Sequence, residues 1–268
     1  MACDKITSAA NPRVKHVAQL RDRRQRNEEG LTIVEGMREI ARAQEGRVVF
    51  KEAYVCRELW GDSKSAGSLI GKLSEQNIPV YETTKTVFEK ISYGDRQQGV
   101  LAVCKPRTWS FEDLASEKCD LFTVIEGVEK PGNLGAILRT CDGAGVNGMI
   151  VCDEKTDMYN PNVIRASLGT VFSVKTVVSS KEDALAFLKS RRVAVCATLP
   201  QAKTVYTKAN LKNPLAVVLG SEQSGLTDFW VQHADLTVRI PMKGHADSLN
   251  VSASAAILLY EAIRQRFQ

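Results

Sequence analysis

No apolar run in this chain approaches the ~20 residues that a membrane span requires. Its first ten residues also lack the apolar core of a secretory signal. These absences predict a soluble cytoplasmic protein with no membrane partner. The seven cysteines stand singly at 3, 56, 104, 119, 141, 152 and 196, with no C-x-x-C pair. Neither they nor His16, His233 and His245 have metal-ligand spacing, which argues against structural zinc, and we expect no metal. An odd count, with apolar neighbours around Cys104, Cys152 and Cys196, predicts buried free thiols in a reducing compartment. Also missing are the G-x-G-x-x-G fingerprint, the G-x-x-x-x-G-K-[ST] loop and the G-x-S-x-G elbow. A nucleotide-dependent oxidoreductase, a nucleoside-triphosphate loop and a serine hydrolase are disfavoured accordingly. There is no internal repeat and no low-complexity tract.

What is present is a chain of 268 residues, 44% hydrophobic and 25% charged, which is long enough for two domains. In the first part, patterns predict helices over 36–44, 65–76 and 84–91 and strands over 48–56, 78–81 and 99–104, a small α/β domain. Residues 106–118, with Pro106 and Trp109, read as a linker. From 119 the chain alternates strand and helix. Apolar strands are expected over 121–126, 148–152, 171–178, 193–199, 215–219 and 236–240, in the continuous Val/Ile/Leu style of a parallel sheet covered on both faces. Asn160 before Pro161, with a stop at Gly169, and Ser180 with Asp183 are helix-end signals. The expected partition is 1–105, linker 106–118 and 119–268, with a ligand at the carboxyl ends of the second sheet.

The net charge of +5 is modest, but its placement is informative. Arg13, Lys15, Arg21, Arg23, Arg24 and Arg26 face one acid, Asp22, over a stretch that we expect to be a helix with Val14, Val17, Ala18 and Leu20 beneath. The plainer reading is a solvated face and the sharper one a phosphate-binding patch.

Three blocks carry candidate chemistry. Asn133-Leu134-Gly135 with Arg139-Thr140 follows strand 121–126. Leu134, Ile137, Leu138 and Cys141 share a helical face, and Arg139 points away from it at ~100° per residue. Asn133 could be only an N-cap. Gly220-Ser221-Glu222 follows strand 215–219, where glycine permits close backbone approach to a ligand. The plainer alternative is a tight turn, with Ser or Glu capping a helix near Leu226. Ser248-Leu249-Asn250 opens the last helix, whose N-terminal N–H groups suit polar or anionic ligands. There the plainer alternative is a cap at Asp247 or Ser248.

The order and spacing of these blocks, Asn133-Leu134-Gly135-x-x-x-Arg139-Thr140, Leu219-Gly220-Ser221-Glu222-x-x-Gly225, and Ile240-Pro241-Met242 leading to Ser248-Leu249-Asn250-Val251-Ser252, resemble the SpoU/TrmH family of knotted (SPOUT) RNA ribose 2′-O-methyltransferases. Arg165-Ala166-Ser167-x-Gly169 resembles the family's intervening segment. Asn11-Pro12-Arg13-Val14-Lys15 and Val34-Glu35-Gly36 resemble its ribosomal-protein-L30-like (L30e-like) RNA-binding extension. The resemblance implies an α/β fold: a C-terminal parallel sheet with a deep trefoil knot, plus a smaller N-terminal L30e-like α/β domain. It implies S-adenosylmethionine as cofactor, held by Thr198, Leu199, Leu219, Gly220, Ile240, Met242, Ser248 and Leu249. Arg139 matches the family's catalytic arginine, with Asn133, Glu222, Ser248 and Asn250 as positioning partners. Arg13, Lys15, Arg21, Arg23, Arg24 and Arg165 become RNA-docking candidates. The implied partners are a second copy of the chain and RNA. The N-terminal domain favours 23S-type rRNA over tRNA, while a non-catalytic rRNA-binding or ribosome-assembly protein is the other alternative.

Overall fold

The computed structural model of the protein describes residues 4–60, 64–94, 98–115 and 121–267. Cys3, Cys119 and residues 116–118 of the expected linker lie outside them. The chain divides into two compact units. One holds the residues up to Arg107 together with Asp157–Ser173; the other holds Thr108–Thr156 and the residues from Val174 onward.

The first unit runs β1 (Asp4–Ile6), α1 (Pro12–Gln19), α2 (Arg23–Glu29), β2 (Thr32–Glu35), α3 (Met37–Glu45), β3 (Val49–Val55), α4 (Lys64–Glu75), β4 (Val80–Thr83), α5 (Lys85–Ile91) and β5 (Val100–Lys105). Its sheet has the order β1-β4-β3-β5-β2. β1, β4 and β3 run parallel, and β5 is antiparallel to both β3 and β2. β1 and β2 have no counterpart among the expected strands, being three and four residues long. The basic stretch 13–26 is not one helix as expected. The chain turns at fully buried Leu20, and Asp22 starts α2 by accepting the backbone N–H of Arg24 at 2.7 Å. Val14, Val17 and Leu20 do face the core, against Ile33, Tyr54, Phe88 and Leu101. Each such side chain, fully buried, contributes roughly 1.5–3 kcal/mol.

Arg26 is also buried and belongs to the structure rather than to a charged surface. Its Nη2 lies 2.6 Å from Asp157, and its Nη1 donates to the carbonyls of Leu20 and Arg21 at 3.0 and 2.7 Å.

The stretch expected as a linker is irregular chain over 106–110, where the first unit ends at Arg107 and the second starts at Thr108, and then forms α6 (Phe111–Ala115). Trp109 and Phe111 pack on this unit's core, and Asp113 accepts the Ser110 N–H at 2.9 Å. Then follow β6 (Leu121–Glu126), α7 (Pro131–Ala144) and β7 (Gly148–Cys152). Residues Asp157–Ser173, with α8 (Pro161–Ala166), pack in the first unit and interrupt the expected domain 119–268. α8 starts as predicted, with Asn160 accepting the Asn162 N–H at 2.9 Å ahead of Pro161. The expected strand 171–178 is instead a 3-10 turn at Thr170–Phe172 followed by β8 (Thr176–Ser179). Gly169 sits at φ 83°, and Thr170 and Ser173 bond back to carbonyls at positions 167 and 170, which curls the chain before it can extend.

The chain continues with α9 (Lys181–Ser190), capped by Ser180 as predicted, then β9 (Ala194–Thr198), β10 (Thr204–Val205), β11 (Leu215–Leu219), α10 (Asp228–His233), β12 (Leu236–Arg239) and α11 (Val251–Arg266). The sheet, ordered β10-β12-β9-β11-β6-β7-β8, is parallel throughout, as the continuous apolar runs predict. α11 packs on α7 and β11. Among the described residues no helix is long and apolar enough to cross a membrane.

Candidate functional site

A cavity of about 690 Å³ opens at the carboxyl ends of β9, β11 and β12 in the second unit. This is where ligands collect in open parallel sheets. Thr198 and Leu199 line it as the chain leaves β9, Leu219 and Gly220 as it leaves β11, and Ile240 and Met242 as it leaves β12. Ser248 and Leu249, just before α11, complete the set, so all eight residues expected at a cofactor meet in one cavity. Sequence reasoning missed Gln201, Arg239 and Ser254 on the same wall. Each lies within a few residues of a predicted strand or helix end, which is the only signal available for them.

Two local features shape the wall. The Thr198 hydroxyl is buried without a hydrogen-bond partner among the described residues, and a buried hydroxyl left so costs about 1–3 kcal/mol. A side chain at Gly220 would collide with the backbone at Gly225 and Leu226, so glycine is required for the loop to fold back on itself. Ser221 and Gly225 form an isolated bridge, and the Ser221 hydroxyl accepts the Ser224 N–H at 3.1 Å. The block is thus a tight turn and no helix cap: α10 begins later, at Asp228. The turn is anchored from β6, where the buried Glu126 carboxylate accepts both the N–H and the hydroxyl of Thr227 at 2.9 Å.

Beside the cavity, three distant polar residues join. α7 starts at Pro131, so Asn133 is the helix's third residue and not its N-cap. Its side chain is therefore free for tertiary contacts. Its Nδ2 donates to Glu222 Oε1, and its Oδ1 accepts from Asn250 Nδ2 at 3.1 Å. Glu222 itself lines the cavity. Asn250, not Asp247 or Ser248, is the N-cap of α11. Its Oδ1 accepts the Ser252 N–H at 2.9 Å, so one amide caps a helix and binds Asn133 at once. Ser248 stays exposed on the cavity wall and makes no such link. Arg139 is exposed on α7 and bonds to no described residue; it is not part of the Glu222–Asn133–Asn250 chain.

The RNA-docking candidates all lie in the first unit. Arg13 pairs with Glu52 at 2.7 Å and stacks over the Tyr81 ring at 4.6 Å. Arg21 is spent on the carbonyls of Lys90 (2.8 Å) and Ser92. Arg24 makes an exposed pair with Glu28, a contact of the kind worth only about 0.3–0.5 kcal/mol. Lys15 and Arg23 are exposed, and Arg165 sits on α8 in a separate cavity.

Burial pushes the thiols of Cys141, Cys152 and Cys196 up to about 12, so they stay protonated and unreactive at neutral pH. The described cysteines are free and buried, as their apolar neighbours predict. Among the described residues no group of three or more His, Cys, Asp or Glu could hold a metal ion.

Comparison with known proteins converges on one family. Residues 120–260 match the SpoU rRNA Methylase family, and residues 11–102 match the MRM3-like substrate binding domain. The 23S rRNA (adenosine(1067)-2'-O)-methyltransferase of Streptomyces azureus is 31% identical over 97% of this chain and 96% of its own. A crystal structure of an RNA 2'-O ribose methyltransferase superposes with a TM-score of 0.85 at 38% identity, covering 98% of this chain and all of the other (100%). The AdoMet-bound rRNA methyltransferase from Sinorhizobium meliloti gives a TM-score of 0.89 at 28% identity, with 98% of both chains covered. The chain belongs to the SpoU rRNA methylase family.

Proposed function

We propose that the protein methylates a ribose 2′-hydroxyl of 23S-type rRNA, using S-adenosylmethionine. The observation that carries this reading is the hydrogen-bonded chain Glu222–Asn133–Asn250, which reaches through Glu222 to the wall of the cavity that Thr198 lines with a hydroxyl unpartnered among the described residues. That hydroxyl, the mixed polar and apolar wall and the backbone groups at three strand ends fit a cofactor with a flat base, hydroxyls and a charged head. When bound, S-adenosylmethionine supplies a methyl group already activated on sulfur. What remains for the protein is alignment and removal of the hydroxyl proton. Asn133, Glu222, Ser248 and Asn250 position the ribose. Arg139 has no competing partner among the described residues, and a guanidinium offers donors and no acceptor, so it is not the group that takes the proton. Its role is to hold the neighbouring phosphate and lower the pKa of the 2′-hydroxyl.

Three further assignments belong to this reading. The segment from β9 to α11 is threaded as a trefoil knot. Support comes from the sheet order, in which β12 and β11 flank β9, and from α11 packing back on α7 and β11. The first unit is an L30e-like RNA-binding domain, supported by the match over residues 11–102 and by its exposed arginines. The protein acts in the cytoplasm as a homodimer, with half-exposed Tyr260 on the last helix and the more exposed Phe267 at its C-cap available to a second copy.

The test is a comparison of wild type with Arg139→Ala. Calorimetry should give the same S-adenosylmethionine affinity for both, while 2′-O-methylation, mapped on rRNA and tRNA from strains carrying each allele, should vanish with the variant. Retained turnover sinks the role of Arg139. Failure of the wild type to bind S-adenosylmethionine sinks the whole reading.

A further inference from the structure

The first unit has a cavity of its own, about 420 Å³, where β2 meets the N-terminus of α3. That is nucleoside-sized, at the low end of small-ligand sites. At its base lies Glu39, only 6% exposed, and its Oε2 finds no hydrogen-bond partner among the described residues. Arg38 and Arg165 line the same cavity without bonding to a described residue, whereas Arg42 is committed to the Leu168 carbonyl at 2.9 Å. Burial raises the Glu39 carboxyl above its ordinary range against the pull of these three arginines. Gly36, at φ 111°, lets the carboxylate lie against the backbone, where any side chain would displace it.

The walls are fixed rather than collapsed. Glu35 uses both oxygens to hold Ser92 (2.9 Å) and the Tyr93 N–H (2.7 Å). The Tyr93 hydroxyl accepts from Asn162 at 3.2 Å. Gln98 accepts the Met37 N–H at 3.1 Å, which turns its amide NH₂ away from that bond. An unpaired acceptor at the base, an aromatic wall, an amide donor and two rim guanidiniums form the inventory used to read an unstacked RNA base.

We propose that this cavity takes a guanine base of the RNA substrate, with Glu39 accepting from its N–H edge and Arg38 and Arg165 holding its phosphate. Guanine alone presents a ring N–H and an exocyclic amine side by side to a carboxylate. Adenine and cytosine set a ring acceptor beside their amine, and uracil flanks its single N–H with carbonyls, so each of these repels Glu39. The proposal rests on RNA being the substrate.

Fluorescence anisotropy of the full chain with short oligouridylates carrying one central guanosine, inosine, adenosine or cytidine tests it. The expected order is guanosine first, by about tenfold over adenosine and cytidine, with inosine between because it lacks the amine. Glu39→Gln should abolish this preference while leaving binding of plain oligouridylate unchanged, and Arg165→Ala should weaken all oligonucleotides alike. Equal binding of guanosine and adenosine by the wild type, a preference for adenosine or cytidine, or a preference that survives Glu39→Gln overturns it. The wild-type inosine arm needs no variant and so stands even if a variant misfolds. Guanosine monophosphate that competes as well as the guanosine oligonucleotide would make the ligand a free nucleotide and overturn the RNA source; much weaker competition supports it. Methylation with no guanosine preference would sink this inference alone, whereas loss of S-adenosylmethionine binding would sink the functional reading instead.

Discussion

Thr198 carries a hydroxyl that is buried at the cavity wall and has no hydrogen-bond partner among the described residues. Valine has nearly the same shape and no polar atom. If the hydroxyl exists for the cofactor, Thr198→Val should hold or raise stability while weakening S-adenosylmethionine, by about two- to tenfold for one lost hydrogen bond. Thermal denaturation and calorimetry on the same preparation check both signs, and unchanged affinity would make the hydroxyl a structural accident. The candidate site was legible at this scale as residue types in ordered blocks. What could not be read was who bonds to whom. Asn133 looked like a cap because capping is local, and only a tertiary fold brings residues 133, 222 and 250 together. Glu39 left no signal at all. One carboxylate in an amphipathic helix reads as solvent-facing until burial is known.

Single elements fail or hold on short-range chemistry that sequence reasoning weighs unevenly. Caps at Asn160 and Ser180 were readable because a side chain two or three residues away decides them. The break at Leu20–Asp22 and the curl at Thr170–Phe172 were not, since apolar or basic continuity hid a turn that buried packing and hydroxyl bonds enforce. Likewise Glu126 reads as the polar end of an apolar strand, yet it anchors the segment that carries Gly220 and Glu222. Glu126→Ala leaves the N–H and hydroxyl of Thr227 without their acceptor, at a cost of about 1–3 kcal/mol. It should also weaken S-adenosylmethionine by loosening the cavity wall, and Glu126→Gln, which retains one acceptor oxygen, should fall between. Urea unfolding with calorimetry measures both effects. Wild-type stability in Glu126→Ala would show that the turn holds without its anchor.

For the molecule as a whole, the net charge of +5 says little until the arginines are sorted by what they already bind. Arg26 is buried with its charge paired to Asp157, so it has no guanidinium free to neutralise phosphate, whereas Arg21 is exposed with its Nη2 held by carbonyls. Arg24 keeps only an exposed pair with Glu28 that water and salt already weaken. Reversing Arg23 and Arg24 to Glu should therefore lower rRNA affinity and reduce the slope of log affinity against log salt by about 1.4–1.8, since each phosphate contact contributes about 0.7–0.9. Stability should change little, because the added like-charge repulsion one turn from Glu28 costs only about 0.2–0.5 kcal/mol. Arg26→Met should do the reverse. It strands the Asp157 carboxylate and destabilises the protein by about 3–5 kcal/mol, while the salt slope of the remaining folded protein stays that of the wild type. Filter binding across a salt series, run beside urea unfolding, separates the two. A salt slope unmoved by the double reversal would make the stretch from Arg13 to Arg24 a solvated surface and shift the burden of RNA binding elsewhere.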